Sequence, residues 1–155
     1  MAGKIDARLK ELGIEIPQAA APVANYVGYV ITGKLCFVSG QVPIVGGEFK
    51  HQGKVGAEIS VDEAYQAARV CAINIIGQLK AACGGDLDKV QRIVKLGGFV
   101  NSTPDFKDQP KVINGASDLM VEVFGDKGKH ARAAVSAGAL PVGVAVEVDA
   151  VAEIG

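Results

Sequence analysis

Residues 131–154 have the sequence ARAAVSAGALPVGVAVEVDAVAEI, and this stretch decides the fold class. Residues 144–154 alternate between apolar and other side chains, which is the pattern of a strand with one buried face. Residues 131–137 form a second strand pattern, and the Leu-Pro-Val-Gly segment between the two predicts a turn. Because the strands flank a short connection, we expect them to pair antiparallel and to place Arg132 near Glu147.

Two helix patterns lie upstream of this stretch. Ser60 and Glu63 form a capping box at the start of the first helix, and a Gly-Gly pair ends it. Residues 110–124 predict the second helix, in which Gly115 is compatible with a break or a late start. Residues 90–100 are rich in β-branched side chains and predict a strand between the two helices.

The N-terminal third predicts smaller elements. These are a helix at residues 4–12, a connector at 17–22, strands at 26–31 and 35–39, and a loop at 40–56. The order ββαβαββ after the first helix predicts an α+β fold, with two helices covering one face of a mixed sheet. We expect one domain over residues 1–155, in which residues 1–16 are an additional N-terminal helix and connector.

The composition limits the classes of partner. Of 155 residues, 49% are hydrophobic and 21% are charged, and the formal net charge is −1. No basic run is present, so a nucleic-acid partner is not expected. No apolar stretch approaches the ~20 residues that span a bilayer. We therefore expect a cytoplasmic protein without a membrane partner, whose surplus of apolar surface favours self-association.

The cysteines and histidines give no metal or hydrolase signature. Cys36, Cys71 and Cys83 are widely spaced in apolar surroundings, which predicts reduced thiols, the first two of them buried. No pair of Cys or His has the spacing of zinc ligands, so no metal site is expected. His51 and His130 have no clear partners for a catalytic triad, and no glycine-rich nucleotide loop is present.

Arg132 and Glu147 are the best candidates for chemistry. Arg132 precedes an almost charge-free stretch, so it either grips a substrate carboxylate or belongs to an ordinary ion pair. Glu147 lies among valines, where it either activates a water or belongs to a solvated face. Each ordinary interpretation is favoured singly, but the pair together favours a small-carboxylate pocket. Ser39 and Gly40 end a strand at a bend that either admits a ligand or is a simple turn.

Two segments carry a resemblance to a known family. The run GKLCFVSGQVP at residues 33–43 resembles the "GN-L-hydrophobic-SGQ-P" stretch of the YjgF/RidA family, also called L-PSP proteins. Residues 131–135, the Leu-Pro pair at 140–141 and VEVDA at 146–150 are similar to that family's C-terminal signature. The resemblance covers roughly residue 22 to the end, and its two motifs occur in the family's order.

The resemblance implies a fold, an assembly and an activity. The fold is chorismate-mutase-like, and the assembly is a homotrimer with ligand sites in the clefts between subunits. The best-known members hydrolyse reactive enamines and imines, such as 2-aminoacrylate, to 2-keto acids and ammonia without a metal or organic cofactor. Arg132 matches the family's carboxylate-binding arginine and Glu147 the glutamate that places the water. Ser39, Gly40 and Tyr26 match its substrate-binding pocket.

The chain also departs from the family pattern. Ala134 stands where a cysteine is common, and residues 114–119 replace the usual helix pattern, with Asn114 as the candidate for the pocket asparagine. These departures indicate a divergent YjgF-like subgroup. Our leading interpretation is an enamine/imine deaminase, and the alternative is a non-catalytic trimer that binds a small keto acid or regulates a partner. Endoribonuclease activity, attached to the family name, is a third and disfavoured interpretation.

Overall fold

The computed structural model describes residues 3–21 and 24–155. Met1 and Ala2 of the predicted N-terminal segment, and Pro22 at the end of the predicted connector, lie outside the described residues. The helices are α1 (Lys4–Glu11), α2 (Val61–Ala82) and α3 (Gln109–Phe124). The strands are β1 (Tyr29–Thr32), β2 (Leu35–Gln41), β3 (Ile44–Val45), β4 (Glu48–Phe49), β5 (Val90–Asn101), β6 (Ala131–Ala137) and β7 (Val146–Ile154). Short 3-10 turns occupy Leu87–Lys89, Gly125–Gly128 and Pro141–Gly143.

Five strands form one mixed sheet in the order β1-β2-β7-β5-β6, and β3 and β4 form a separate hairpin. Strands β5 and β6 run parallel, while the other neighbours in the sheet are antiparallel. Helices α2 and α3 pack together on one face, and the hydrophobic core lies between them and the sheet. The predicted α+β class, with two helices on one face of a mixed sheet, is confirmed.

Strands β6 and β7 are not neighbours, so the expected antiparallel pair between them is wrong. Helix α3 carries the chain from the end of β5 back to the start of β6, which makes β6 a parallel edge strand. The connection after β6 then crosses the end of β5, where the Asn101 backbone N–H donates to the Ala145 carbonyl. Strand β7 therefore lies on the other side of β5.

Ser60 caps α2 as predicted, but only half of the capping box forms. The Ser60 Oγ accepts a hydrogen bond from the Glu63 backbone N–H at 3.1 Å and satisfies one donor of the first turn. The Glu63 carboxylate lies 3.2 Å from His51 Nδ1 instead of returning to the cap. Gly84 and Gly85 have φ angles of 65° and 96°, so glycines end the helix as predicted.

Helix α3 is continuous through Gly115, so the break that this glycine allowed is absent. A methyl group at this position would lie 2.0 Å from the backbone oxygen of Tyr65 on α2. The glycine therefore serves the close approach of two helices rather than a bend. The small side chain of Ala68 lies at the same contact, 3.1 Å from that methyl position.

Several element boundaries differ from those expected. Strand β1 begins at Tyr29 rather than Tyr26, and β7 begins at Val146 because Val144 closes a 3-10 turn. The expected loop at residues 40–56 contains the β3–β4 hairpin, whose strands are too short to leave a periodic pattern. All three cysteines are buried and unpaired. Within the described part of the chain, no helix combines the length and apolar character that a membrane span needs.

Candidate functional site

Arg132 is held against α3 at the edge of the sheet. It pairs with the buried Leu96 across the β5–β6 ladder, which places its side chain on the helix-covered face. Its Nη1 donates to Asn114 Oδ1 at 2.8 Å and to Ser117 Oγ at 3.2 Å. Among the described residues, no group accepts from Nε or Nη2. The edge of the guanidinium that these two nitrogens form is therefore available for a planar oxyanion.

His130 extends this group of polar side chains. Its Nε2 lies 2.8 Å from Ser117 Oγ, and its Nδ1 lies 2.6 Å from the Gly128 carbonyl. The sequence indicated no clear partners for a catalytic triad, whereas the structure gives each histidine a hydrogen-bond partner, since His51 contacts Glu63. The sequence spacing could have predicted this group. His130 and Arg132 are two residues apart, and alternate residues of a strand share a face. Asn114 and Ser117 are three residues apart, and such residues share a face of a helix. We call Asn114, Ser117, His130 and Arg132 the arginine cluster.

Glu147 lies beside the bend at the end of β2. A methyl group on Gly40 would lie 2.9 Å from the Glu147 carboxylate, so a larger residue here would displace that carboxylate from its present position. The β2–β7 register shifts between Val38 and Gln41, which marks the bend as an irregularity of the ladder. The neighbouring Ser39 donates from Oγ to the Val27 carbonyl at 2.6 Å. We call Ser39, Gly40 and Glu147 the glutamate cluster.

The Glu147 carboxyl holds its proton more tightly than an ordinary glutamate. Burial raises the pKa of Glu147, and the Asp149 carboxylate two residues along the same strand raises it further. Burial likewise raises the pKa of Asp149, although the Gly97 backbone N–H and Lys95 act against this effect. A carboxyl with a raised pKa exchanges protons closer to neutral pH, which suits a general base or acid.

The two clusters lie on opposite faces of the sheet in one chain, with β5 between them. Arg132 pairs with Leu96 on the helix-covered face, whereas Glu147 pairs with Phe99 on the uncovered face. The expectation that Arg132 and Glu147 lie near each other within the chain is therefore wrong. Its error has the same cause as the wrong strand pairing, because a short connection does not make two strands neighbours.

The remaining predicted site residues follow these two groups. Ala134 is half-buried on the same face of β6 as Arg132, and it pairs with Gly98. Tyr26 is 55% exposed in the segment before β1, next to the residue whose carbonyl accepts from Ser39. In the ranges that the structure describes, no three His, Cys, Asp or Glu side chains converge as ligands for a metal.

Comparison with known proteins identifies the family. The profile of the family described as "YjgF/chorismate mutase-like, putative endoribonuclease" matches residues 6–154. The protein TCP17 of Trypanosoma cruzi is 52% identical in an alignment of 155 positions that covers 98% of this chain and 95% of that protein. An Agrobacterium tumefaciens protein of unknown function has a crystal structure with a TM-score of 0.92 and 50% identity, covering 97% of this chain and 92% of its own.

A second solved structure is equally similar in fold. It is a Shewanella oneidensis protein that carries the same endoribonuclease description, with a TM-score of 0.94 and 37% identity. The match covers 98% of this chain and 100% of that one. The family profile and the relatives extend over both clusters, and the chain belongs to the YjgF/chorismate mutase-like family.

Proposed function

We propose that this protein is a deaminase that hydrolyses reactive 2-imino acids and their enamine tautomers to 2-keto acids and ammonia. The observation that carries this proposal is the guanidinium of Arg132. Asn114 and Ser117 hold its Nη1, and its other edge is left for a ligand carboxylate. A paired edge of this kind binds carboxylates through two parallel hydrogen bonds.

The proposed reaction needs a base and a fixed substrate. Arg132 holds the carboxylate, so the C=N carbon stays beside a water molecule. Glu147 accepts a proton as the water oxygen bonds to that carbon, which gives a carbinolamine. Glu147 then returns the proton to the nitrogen and takes up the hydroxyl proton as the C=O bond forms and the C–N bond breaks, and the keto acid and ammonia leave. Positioning contributes most of the acceleration, because the iminium carbon is already electrophilic.

The placement of the clusters supports an assembly in which the site is completed by a second copy. Since Arg132 and Glu147 lie on opposite faces of one sheet, a single chain cannot present both to one small substrate. The uncovered face also exposes large apolar side chains, namely Val30, Phe37 and Val135. We propose a homotrimer in which Arg132 of one subunit and Glu147 of its neighbour share each pocket.

A deaminase assay tests this proposal. A threonine dehydratase generates the enamine in situ, and keto-acid release is followed with wild type and with an Arg132→Ala variant. Loss of the carboxylate contact should reduce kcat/KM by about 100-fold or more, since charge-assisted bidentate contacts contribute about 3 kcal/mol. An Arg92→Ala variant is the control, because Arg92 is exposed and its guanidinium hydrogen-bonds to the Lys129 carbonyl rather than to the arginine cluster. Equal rates of keto-acid release for wild type and Arg132→Ala would contradict the mechanism.

A keto-acid-binding protein without turnover is the second candidate. The arginine cluster is fully assembled within one chain, whereas the glutamate cluster lies elsewhere, so carboxylate binding does not need Glu147. Calorimetry that finds 2-ketobutyrate binding together with no acceleration of imine hydrolysis would favour this candidate. The endoribonuclease activity in the family's description is less well supported, because a net charge of −1 lacks the excess of positive charge with which proteins bind RNA phosphates.

A further inference from the structure

We propose that His130 and Ser117 are positioning residues that orient the carboxylate-binding edge of Arg132. The proposal rests on the proposed function, because it concerns how the same arginine is held. Both residues lie outside the segments that carry the family resemblance. The order of hydrogen-bond donors and acceptors along the arginine cluster supports this role.

The Gly128 carbonyl is the first acceptor in this series of hydrogen bonds. A carbonyl only accepts hydrogen bonds, so the His130 Nδ1 that lies 2.6 Å from it must carry a hydrogen. In a neutral imidazole the other nitrogen then accepts, and Nε2 receives the Ser117 hydroxyl hydrogen at 2.8 Å. The histidine therefore determines the direction in which the Ser117 hydrogen points.

The direction of the Ser117 hydrogen determines which part of the hydroxyl faces Arg132. Because its only hydrogen is directed at His130, its oxygen presents a lone pair to Nη1 of Arg132 at 3.2 Å. Asn114 Oδ1 accepts from the same nitrogen at 2.8 Å, so both Nη1 hydrogens are occupied. A ligand carboxylate is then restricted to the Nε and Nη2 edge, where it meets two parallel donors.

The location of the four residues favours positioning over simple stability. All four are half-buried rather than fully enclosed, so the cluster stands at the surface where a ligand reaches it. Fixing a long arginine side chain before the ligand arrives lowers the ordering cost of binding. Without Ser117 or His130, the guanidinium has more orientations and a given carboxylate finds the right one less often.

The kinetic signature follows from the chemistry of the ligand. The substrate carboxylate is present in both the ground state and the transition state, so weaker alignment of Arg132 acts on both. We therefore expect Ser117→Ala to raise KM about tenfold with kcat nearly unchanged. His130→Leu should have the same effect, and His130→Gln should recover most of the loss because its amide oxygen can accept from Ser117.

The experiment combines kinetics with calorimetric binding of 2-ketobutyrate. Ser136→Ala and His51→Gln are the matched controls, since these residues pair with Ser102 and Glu63, away from Arg132. The inference predicts about tenfold weaker binding in Ser117→Ala and His130→Leu, recovery in His130→Gln, and wild-type values in both controls. Thermal melts establish that each variant is folded, and Ser117→Ala carries the test if the histidine variants do not fold.

Three results overturn the inference, and they differ in meaning. If wild type binds 2-ketobutyrate and both variants bind it equally well, Arg132 is oriented without this pair and the proposed function stands. If wild type binds no carboxylate at all, the proposed function fails and the inference fails with it. A fall in kcat at constant KM would also contradict it, because such a change assigns the pair to the chemical step.

Discussion

At the residue scale, Glu147 combines three properties in one position. It lies in a strand whose alternate residues are buried, its carboxylate lies where a side chain at position 40 would begin, and a second carboxylate stands two residues away. The alternation of apolar and acidic residues was enough to predict the strand and the face. The raised pKa was not predictable, because it depends on burial of the carboxyl and not on sequence neighbours alone.

This environment predicts a pH dependence of stability. Burial raises the pKa values of Glu147 and Asp149 in the folded state. The folded protein therefore binds these protons more tightly than the unfolded chain, whose carboxyls have pKa values of about 4. The stability that this difference contributes is fully present below that pH, and it is lost as pH rises through the raised folded values. Stability should thus fall between weakly acidic and neutral pH.

Substitution isolates this contribution. Glu147→Gln and Asp149→Asn remove the charge while keeping the shape, so each should raise the melting temperature at pH 7 and have little effect near pH 4. Glu153→Gln, on the same face of β7, is the control. Differential scanning calorimetry across this range makes the measurement. A melting temperature of Glu147→Gln that is lower than wild type at pH 7 would contradict the assigned direction.

At the element scale, local patterns predicted the elements but not their neighbours. The cap at Ser60 and the glycines that end α2 depend on a few adjacent residues, and they were predicted correctly. The position of β7 between β2 and β5 depends on the path of the chain around the sheet. Periodicity contains no information about which strand pairs with which, so the Arg132–Glu147 distance could not be inferred from spacing.

Gly115 gives a sharp test of the helix packing. In Gly115→Ala the new methyl group would lie 2.0 Å from the Tyr65 backbone oxygen, which cannot rotate away. We expect a loss of about 3 kcal/mol in the free energy of unfolding, at the upper end for overpacked sites. Gly138→Ala is the matched control, since nothing lies within 4 Å of its new methyl group. Urea denaturation that finds the two variants equally stable would show that α2 and α3 are not packed this closely.

At the scale of the whole molecule, one chain holds two half-sites that face in opposite directions. The arginine cluster belongs to α3, the edge strand β6 and the residue before that strand, and the glutamate cluster belongs to the uncovered face near the end of β2. Arg132, Asn114, Gly40 and Glu147 were predicted from sequence as site residues, whereas Ser117 and His130 were found only in the structure. The separation of the two clusters emerged only from the sheet order, and it makes self-association part of the proposed chemistry.

The most direct measurement mixes two inactive variants. Arg132→Ala and Glu147→Gln chains are co-expressed with different tags, mixed trimers are purified through both tags, and keto-acid release is measured. If each pocket takes Arg132 from one subunit and Glu147 from the next, every purified mixed trimer has one intact pocket of three, so about a third of the wild-type sites are restored. The account predicts activity near that fraction. Activity no greater than that of the two variants measured separately would contradict a pocket shared between subunits.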